Sequence, residues 1–113
     1  MTRNEEIVWA AALFEGEGSL SFNHNNTRWG FWRLQLKMTD EDTVRTFGEF
    51  VGVGHLLYVT RQSPCQDGTA RKQAWVWNVN KQADVLALAH MLYPYLGSRR
   101  QAKVREFTED MFQ

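Results

Sequence analysis

Between Trp9 and Phe22 the stretch WAAALFEGEGSLSF changes its hydrophobic period from that of a helix to that of a strand, with only Gly16 and Gly18 as punctuation. Upstream, Ile7, Trp9, Ala10, Leu13 and Phe14 form an apolar pattern behind Thr2 and Glu5, which stand in capping-box spacing. This predicts a first helix that Gly16 and Gly18 end. Downstream, SLSF alternates small polar with apolar side chains, the signature of a half-buried strand with Leu20 and Phe22 toward the core.

The same alternation returns after the polar cluster NHNNTRWG. In FWRLQLKM, Trp32, Leu34, Leu36 and Met38 take one side and Phe31, Arg33, Gln35 and Lys37 the other. Thr39 or Asp40 then caps a second helix, DEDTVRTFGEFV, with acids in its first turn, Gly52 at its end and Val44, Phe47, Phe50 and Val51 as its buried stripe. After GVG, HLLYVTRQ reads as a third strand whose phase is ambiguous, SPCQDGT as a loop, and RKQAWVWNV as a fourth strand with Trp75, Trp77 and Val79 in phase. QADVLALAHMLYPYL, broken near Pro94 and Gly97, and SRRQAKVREFTEDMF complete the order αββαββαα. This is an α+β chain with both strand pairs in one antiparallel sheet, helices on one face and a polar face open on the other.

At 113 residues the chain has material for one compact core, so one domain over residues 1–113 is expected. Five Trp and seven Phe exclude a compositionally disordered chain. Acids near the N-terminus, and no apolar run of spanning length, point to a soluble intracellular protein without a membrane segment. Cys65 stands alone, which excludes an internal disulfide, and no Cys/His spacing suggests zinc; His24, His55 and His90 are not assigned to metal.

The formal net charge is zero, yet the distribution is lopsided. Residues 18–39 and 50–83 together hold seven basic side chains and one acid, which leaves six basic and twelve acidic residues elsewhere. The alternating strands put Ser19, Ser21, Asn23, Arg33, Gln35 and Lys37 on one patch of donors, acceptors and positive charge, which suits the edges and phosphates of a DNA groove. An ordinary solvated sheet face has the same pattern.

Ala12 and Gly16 lie four apart and share a helical face almost free of side chains, which permits close contact with another helix. If that helix belongs to a second copy, Glu15 and Glu17 meet a second pair of acids, and a divalent cation such as Mg²⁺ relieves the repulsion. Two solvated acids at a helix end are the alternative.

These residues carry a resemblance. AAALFEGEG resembles the signature of the LAGLIDADG homing endonucleases, with Glu17 at the second acidic position where the family name carries Asp. A strand beginning with Gly and Ser, LKMTDED at a strand-to-helix junction, GVG before the third strand, and YPYLGSRRQAKV follow in the family's order over nearly the whole chain. The resemblance implies an αββαββα fold with a saddle-like sheet. One signature copy in so short a chain is similar to the members that act as homodimers, with Ala12 and Gly16 in the contact between signature helices.

The resemblance further implies an intron-encoded type of meganuclease that uses Mg²⁺, and no small-molecule cofactor, to hydrolyse both strands of a long, roughly palindromic double-stranded DNA site. Glu17 would be the metal ligand, Glu15 a capping or packing residue, and Asp40 and Arg99 the polar and basic residues near the metal-bound waters, with Arg100 beside Arg99 as the other match. The sheet would lie in the major groove, with Ser19, Ser21, Asn23, Asn25, Arg33, Gln35 and Lys37 as readers and Arg28 reaching further from the turn. Arg61, Arg71, Lys72 and Asn78 are candidates from the second strand pair; Trp32 is expected in the core and Trp29 at the turn, stacking or covering the sheet end. Two other classes fit parts of the chain: a non-cleaving DNA-binding protein or RNA splicing helper (maturase) of the same fold, and a dimeric interaction module that meets no nucleic acid.

Overall fold

The computed structural model describes residues 1–23, 30–59 and 74–112. Its elements are α1 (Arg3–Glu17), β1 (Gly18–Asn23), β2 (Phe31–Met38), α2 (Glu41–Val51), β3 (His55–Val59), β4 (Ala74–Val79), α3 (Gln82–Leu92), a 3₁₀ turn (Tyr93–Tyr95) and α4 (Ser98–Met111). The four strands form one antiparallel sheet in the order β1-β2-β4-β3. The predicted positions Asn25, Arg28, Arg61, Arg71 and Lys72, with His24, Trp29 and Cys65, lie outside the described residues.

The helix α1 begins with the capping box expected from Thr2 and Glu5: the Glu5 N–H donates to the Thr2 hydroxyl and the Thr2 N–H to the Glu5 carboxylate, at 3.2 and 2.8 Å. The helix continues through Gly16 and stops at Gly18, not at both glycines. Gly18 is needed for space, since a Cβ there would lie 2.2 Å from the Phe14 ring. At Gly16 a Cβ would meet nothing within 4 Å. One glycine is thus demanded by the chain's own packing and the other is not.

The register assigns faces. Leu20, Leu34 and Val79, and likewise Leu36, Trp77 and Leu56, stand opposite one another on the side covered by helices. Phe47 of α2 joins the layers, with its ring 4.8 Å from Trp77 and 6.4 Å from Phe14. Trp32 is buried as expected, 5.3 Å from Phe107 of α4, with its indole N–H donating to Asp110 at 2.7 Å. Phe50 is half-buried against Trp9. Phe22 departs from expectation: it points to the helix side and packs on Trp32 at 5.5 Å, but is 40% exposed because β1 is an edge strand and Phe22 lies near its open end.

The ambiguous phase of the third strand resolves the same way, with Leu56 on the core and Leu57 facing outward. Its entry depends on two left-handed glycines, Gly52 at φ 80° and Gly54 at φ 98°. At Gly54 a Cβ would also lie 2.3 Å from the Trp77 indole nitrogen, which donates to the Val53 carbonyl at 2.8 Å. Among the described residues no helix is long and apolar enough to cross a membrane.

Two outcomes are expected. Gly18→Ala, by driving a methyl into the Phe14 ring, lowers stability by about 1–3 kcal/mol in a thermal melt. Hydrogen bonds from the Thr2 backbone, then from its hydroxyl, hold the Glu5 carboxyl below its ordinary range. Its stabilising effect is therefore present above the unfolded-state value and is lost as pH falls through the folded one. Glu5→Gln should remove that part of the acid-side slope of the melting temperature.

Candidate DNA interface and catalytic corner

The elements α1, β1 and α4 meet where α1 passes into β1. Glu17 is the last helical residue and is exposed, and the next residue but one, Ser19, is exposed on the sheet. Glu15, half-buried two residues earlier, has a different task. Its carboxylate accepts from the Gly97 N–H at 3.1 Å, capping the start of α4, and lies 3.6 Å from the Arg100 guanidinium. Arg100 also donates from Nε to the Glu15 carbonyl at 2.9 Å and sits over the Phe14 ring at 5.3 Å. Arg100 is committed to this clasp, while Arg99 beside it is exposed.

A cleft of about 220 Å³ separates β1 from α4, lined among others by Ser19, Leu20, Arg99, Arg100 and Lys103. Lys103 was not among the sequence candidates, although its place four residues after Arg99, on the same helical face, is a signal that spacing carries. Asp40 caps α2: one carboxylate oxygen accepts from the Asp42 N–H at 3.1 Å and the other from the Thr43 hydroxyl at 2.7 Å.

The other side of the sheet carries Ser19, Ser21, Asn23, Arg33, Gln35, Lys37 and Asn78 on one surface, as the alternation predicted. Ser19, Gln35, Asn78 and His55 form a single row across all four strands. Arg33 is oriented by donating to Asn80 Oδ1 at 2.9 Å and lies 5.3 Å from the Phe31 ring. His55 was passed over because a lone histidine has no spacing signal; only the register places it. Ala12 and Gly16 are exposed along the outer face of α1, together with Val8 at 39%.

Among the described residues no group of three or more His, Cys, Asp or Glu side chains could hold a metal ion. One chain offers at this corner a single uncommitted carboxylate, Glu17, since that of Glu15 is engaged. Mg²⁺ is commonly held by one or two carboxylates with waters and substrate phosphates, so this donor set fits the ion when a second copy supplies another Glu17.

No protein-family model matches the chain, and no curated protein matches it. Solved structures do. The archaeal intron-encoded homing endonuclease I-Vdi141I, complexed with DNA, superposes with a TM-score of 0.71 at 11% identity over 96% of this chain and 67% of that one. The homing endonuclease I-CvuI, in complex with the I-CreI target in the presence of Mg with the DNA not cleaved, gives 0.68 at 12% identity over 94% and 68%. The LAGLIDADG meganuclease I-AabMI, bound to uncleaved DNA, gives 0.69 at 15% identity over 91% and 35%. The chain therefore spans about two thirds of the first two and about a third of the last. It has the LAGLIDADG homing endonuclease fold.

The clasp divides the neighbouring cations by role. Arg100→Ala, which removes the guanidinium from the half-buried Glu15 and leaves it the Gly97 N–H, is expected to cost about 1–2 kcal/mol of stability. Arg99→Ala should change it by less than about 0.5 kcal/mol. Chemical denaturation of the two variants side by side checks the difference.

Proposed function

We propose that this chain belongs to the LAGLIDADG homing endonucleases and acts as a homodimer that hydrolyses both strands of a long, roughly palindromic DNA site with Mg²⁺. The observation that best supports this is the pairing at one corner of a free carboxylate, Glu17, with a helix face whose smallness the chain itself does not use. Gly16 inside a helix costs about 1 kcal/mol relative to Ala, and among the described residues no neighbour requires it. A second α1 packed along Ala12 and Gly16 explains the cost and brings two Glu17 carboxylates together, one for each strand.

In this reading the open sheet face lies in the major groove. Ser19, Ser21, Asn23, Arg33, Gln35, Lys37 and Asn78, with Asn25, Arg28, Arg61, Arg71 and Lys72, supply contacts to base edges and phosphates. The Glu17 carboxylates of the two copies would hold the divalent metal, which when bound would supply activation of a water and stabilisation of charge on the phosphate and departing oxygen. Arg99 places a permanent cation beside that phosphate; a guanidinium does not release its proton, so its part is electrostatic. Asp40 orients water at the strand-to-helix junction, for its carboxylate retains acceptor sites beyond the two used by the cap.

The test is selection of cleaved sites from a randomised palindromic library in Mg²⁺, with Ca²⁺ and Glu17→Gln as controls. Cutting is expected to require both Mg²⁺ and Glu17, while Glu17→Gln retains dimerisation and DNA binding nearly unchanged. Specific retention without cutting by the unaltered protein would instead support a non-cleaving DNA-binding protein or splicing helper. The contact between copies has its own readout in sedimentation. Ala12→Leu should weaken the dimer by about 1–3 kcal/mol, or about 5- to 150-fold, by holding the helices apart.

A further inference from the structure

The sheet ends on β3. In the order β1-β2-β4-β3 that strand pairs on one side with β4, and among the described residues no strand pairs with its other side. Sheet edges are commonly blunted by Lys, Pro or an inward charge, because their bare N–H and C=O groups recruit another strand. HLLYV has no Lys, Pro, Asp or Glu. Leu57 is 52% and Tyr58 46% exposed, on opposite faces of the strand.

Beside this edge, between α2 and the start of β3, lies a groove of about 330 Å³. Val44, Val53, Leu56 and Trp77 give it an apolar lining, to which the exposed Arg45 and Glu49 add charge. A tyrosine suits such a place, with its apolar ring and polar tip. Tyr58 of the same chain does not line the groove; its ring packs on Trp75 at 4.7 Å.

A second copy supplies one. If two β3 strands run antiparallel about a two-fold axis at Leu57, all five residues pair: His55 with the partner's Val59, Leu56 with the partner's Tyr58, and Leu57 with the partner's Leu57. Opposed residues of an antiparallel pair point to the same face, so both helix layers stay on one side of a continuous sheet. The partner's Tyr58 then comes beside Leu56 at the groove, and the two exposed leucines cover each other on the open face.

We infer that β3 joins edge to edge with the β3 of a second copy, the exposed side of each Tyr58 ring lying against the other copy's groove between α2 and β3. The contact is separate from the one proposed along α1 and needs no DNA. With both in place, dimers join into longer assemblies.

Position 57 meets itself across the axis, within reach of disulfide geometry. In a Cys65→Ser background, Leu57→Cys is expected to give a reducible cross-linked pair of copies under mild oxidation, and His55→Cys, which faces position 59, is not. Mixing His55→Cys with Val59→Cys protein should restore the link. In a sedimentation concentration series, Leu57→Lys sets like charges opposite each other and should remove one association step, which Ala12→Leu retains. Cross-linking no better at position 57 than at position 55 would overturn the inference. Association lost in Ala12→Leu and untouched by Leu57→Lys would overturn it too, and leave the α1 contact standing. So would an edge that binds an extended apolar peptide but shows neither the link nor the step.

Discussion

The arrangement depends on how closely β1 can approach the end of α1. With Glu17 the last helical residue and Gly18 the first of the strand, no loop separates them, and the chain turns beneath the ring of Phe14. Any Cβ at residue 18 would push strand and helix apart. Phe14 in turn lies against Phe47, which packs on Trp77 in the strand two places across the sheet. The position of the Glu17 backbone is thereby set by the packed core rather than by a loop, which is what a group that must hold a charged ligand in fixed geometry requires.

The clasp around Glu15 makes the same corner selective. Two acids two residues apart and two adjacent arginines could pair in several ways. The buried side of α1 takes Glu15, and the α4 start takes its carboxylate through the Gly97 N–H and Arg100. This leaves Glu17 and Arg99 exposed, a carboxylate and a cation on neighbouring elements. Arg100 is held by the Glu15 carboxylate, by the Glu15 carbonyl and by the Phe14 ring, so truncating it loses packing as well as charge.

Much of this was legible in the sequence, and the reasons differ by element. β2 alternates over eight residues, so its faces follow from period alone, and the capping box of α1 follows from two residues at fixed spacing. HLLYV is too short and too apolar for a period to emerge; only pairing with β4 gives its phase. Phe22 looked like core because alternation reports the direction of a side chain but not where the helix layer stops. Gly16 looked like a terminator because a glycine's local effect is visible in a sequence and its surroundings are not. The row that joins Ser19 to His55 draws on four strands and exists only as register.

Register also answers the zero net charge, which taken whole argues against a polyanionic partner. All twelve described acids lie in helices or, for Asp40, at a helix cap, and the described strands contain none. The strands' own charges are Arg33 and Lys37, both on the uncovered face. A layer of helices roughly 10 Å thick stands between that face and acids on the far side. The Debye length at physiological salt is about 8 Å, so the more distant acids act weakly on an anion lying against the sheet. What such an anion meets is the local sign, which is positive. Sequence-wide neutrality and a surface suited to phosphates are compatible because the fold puts the acids on the helices and their caps and leaves the strands' charges positive.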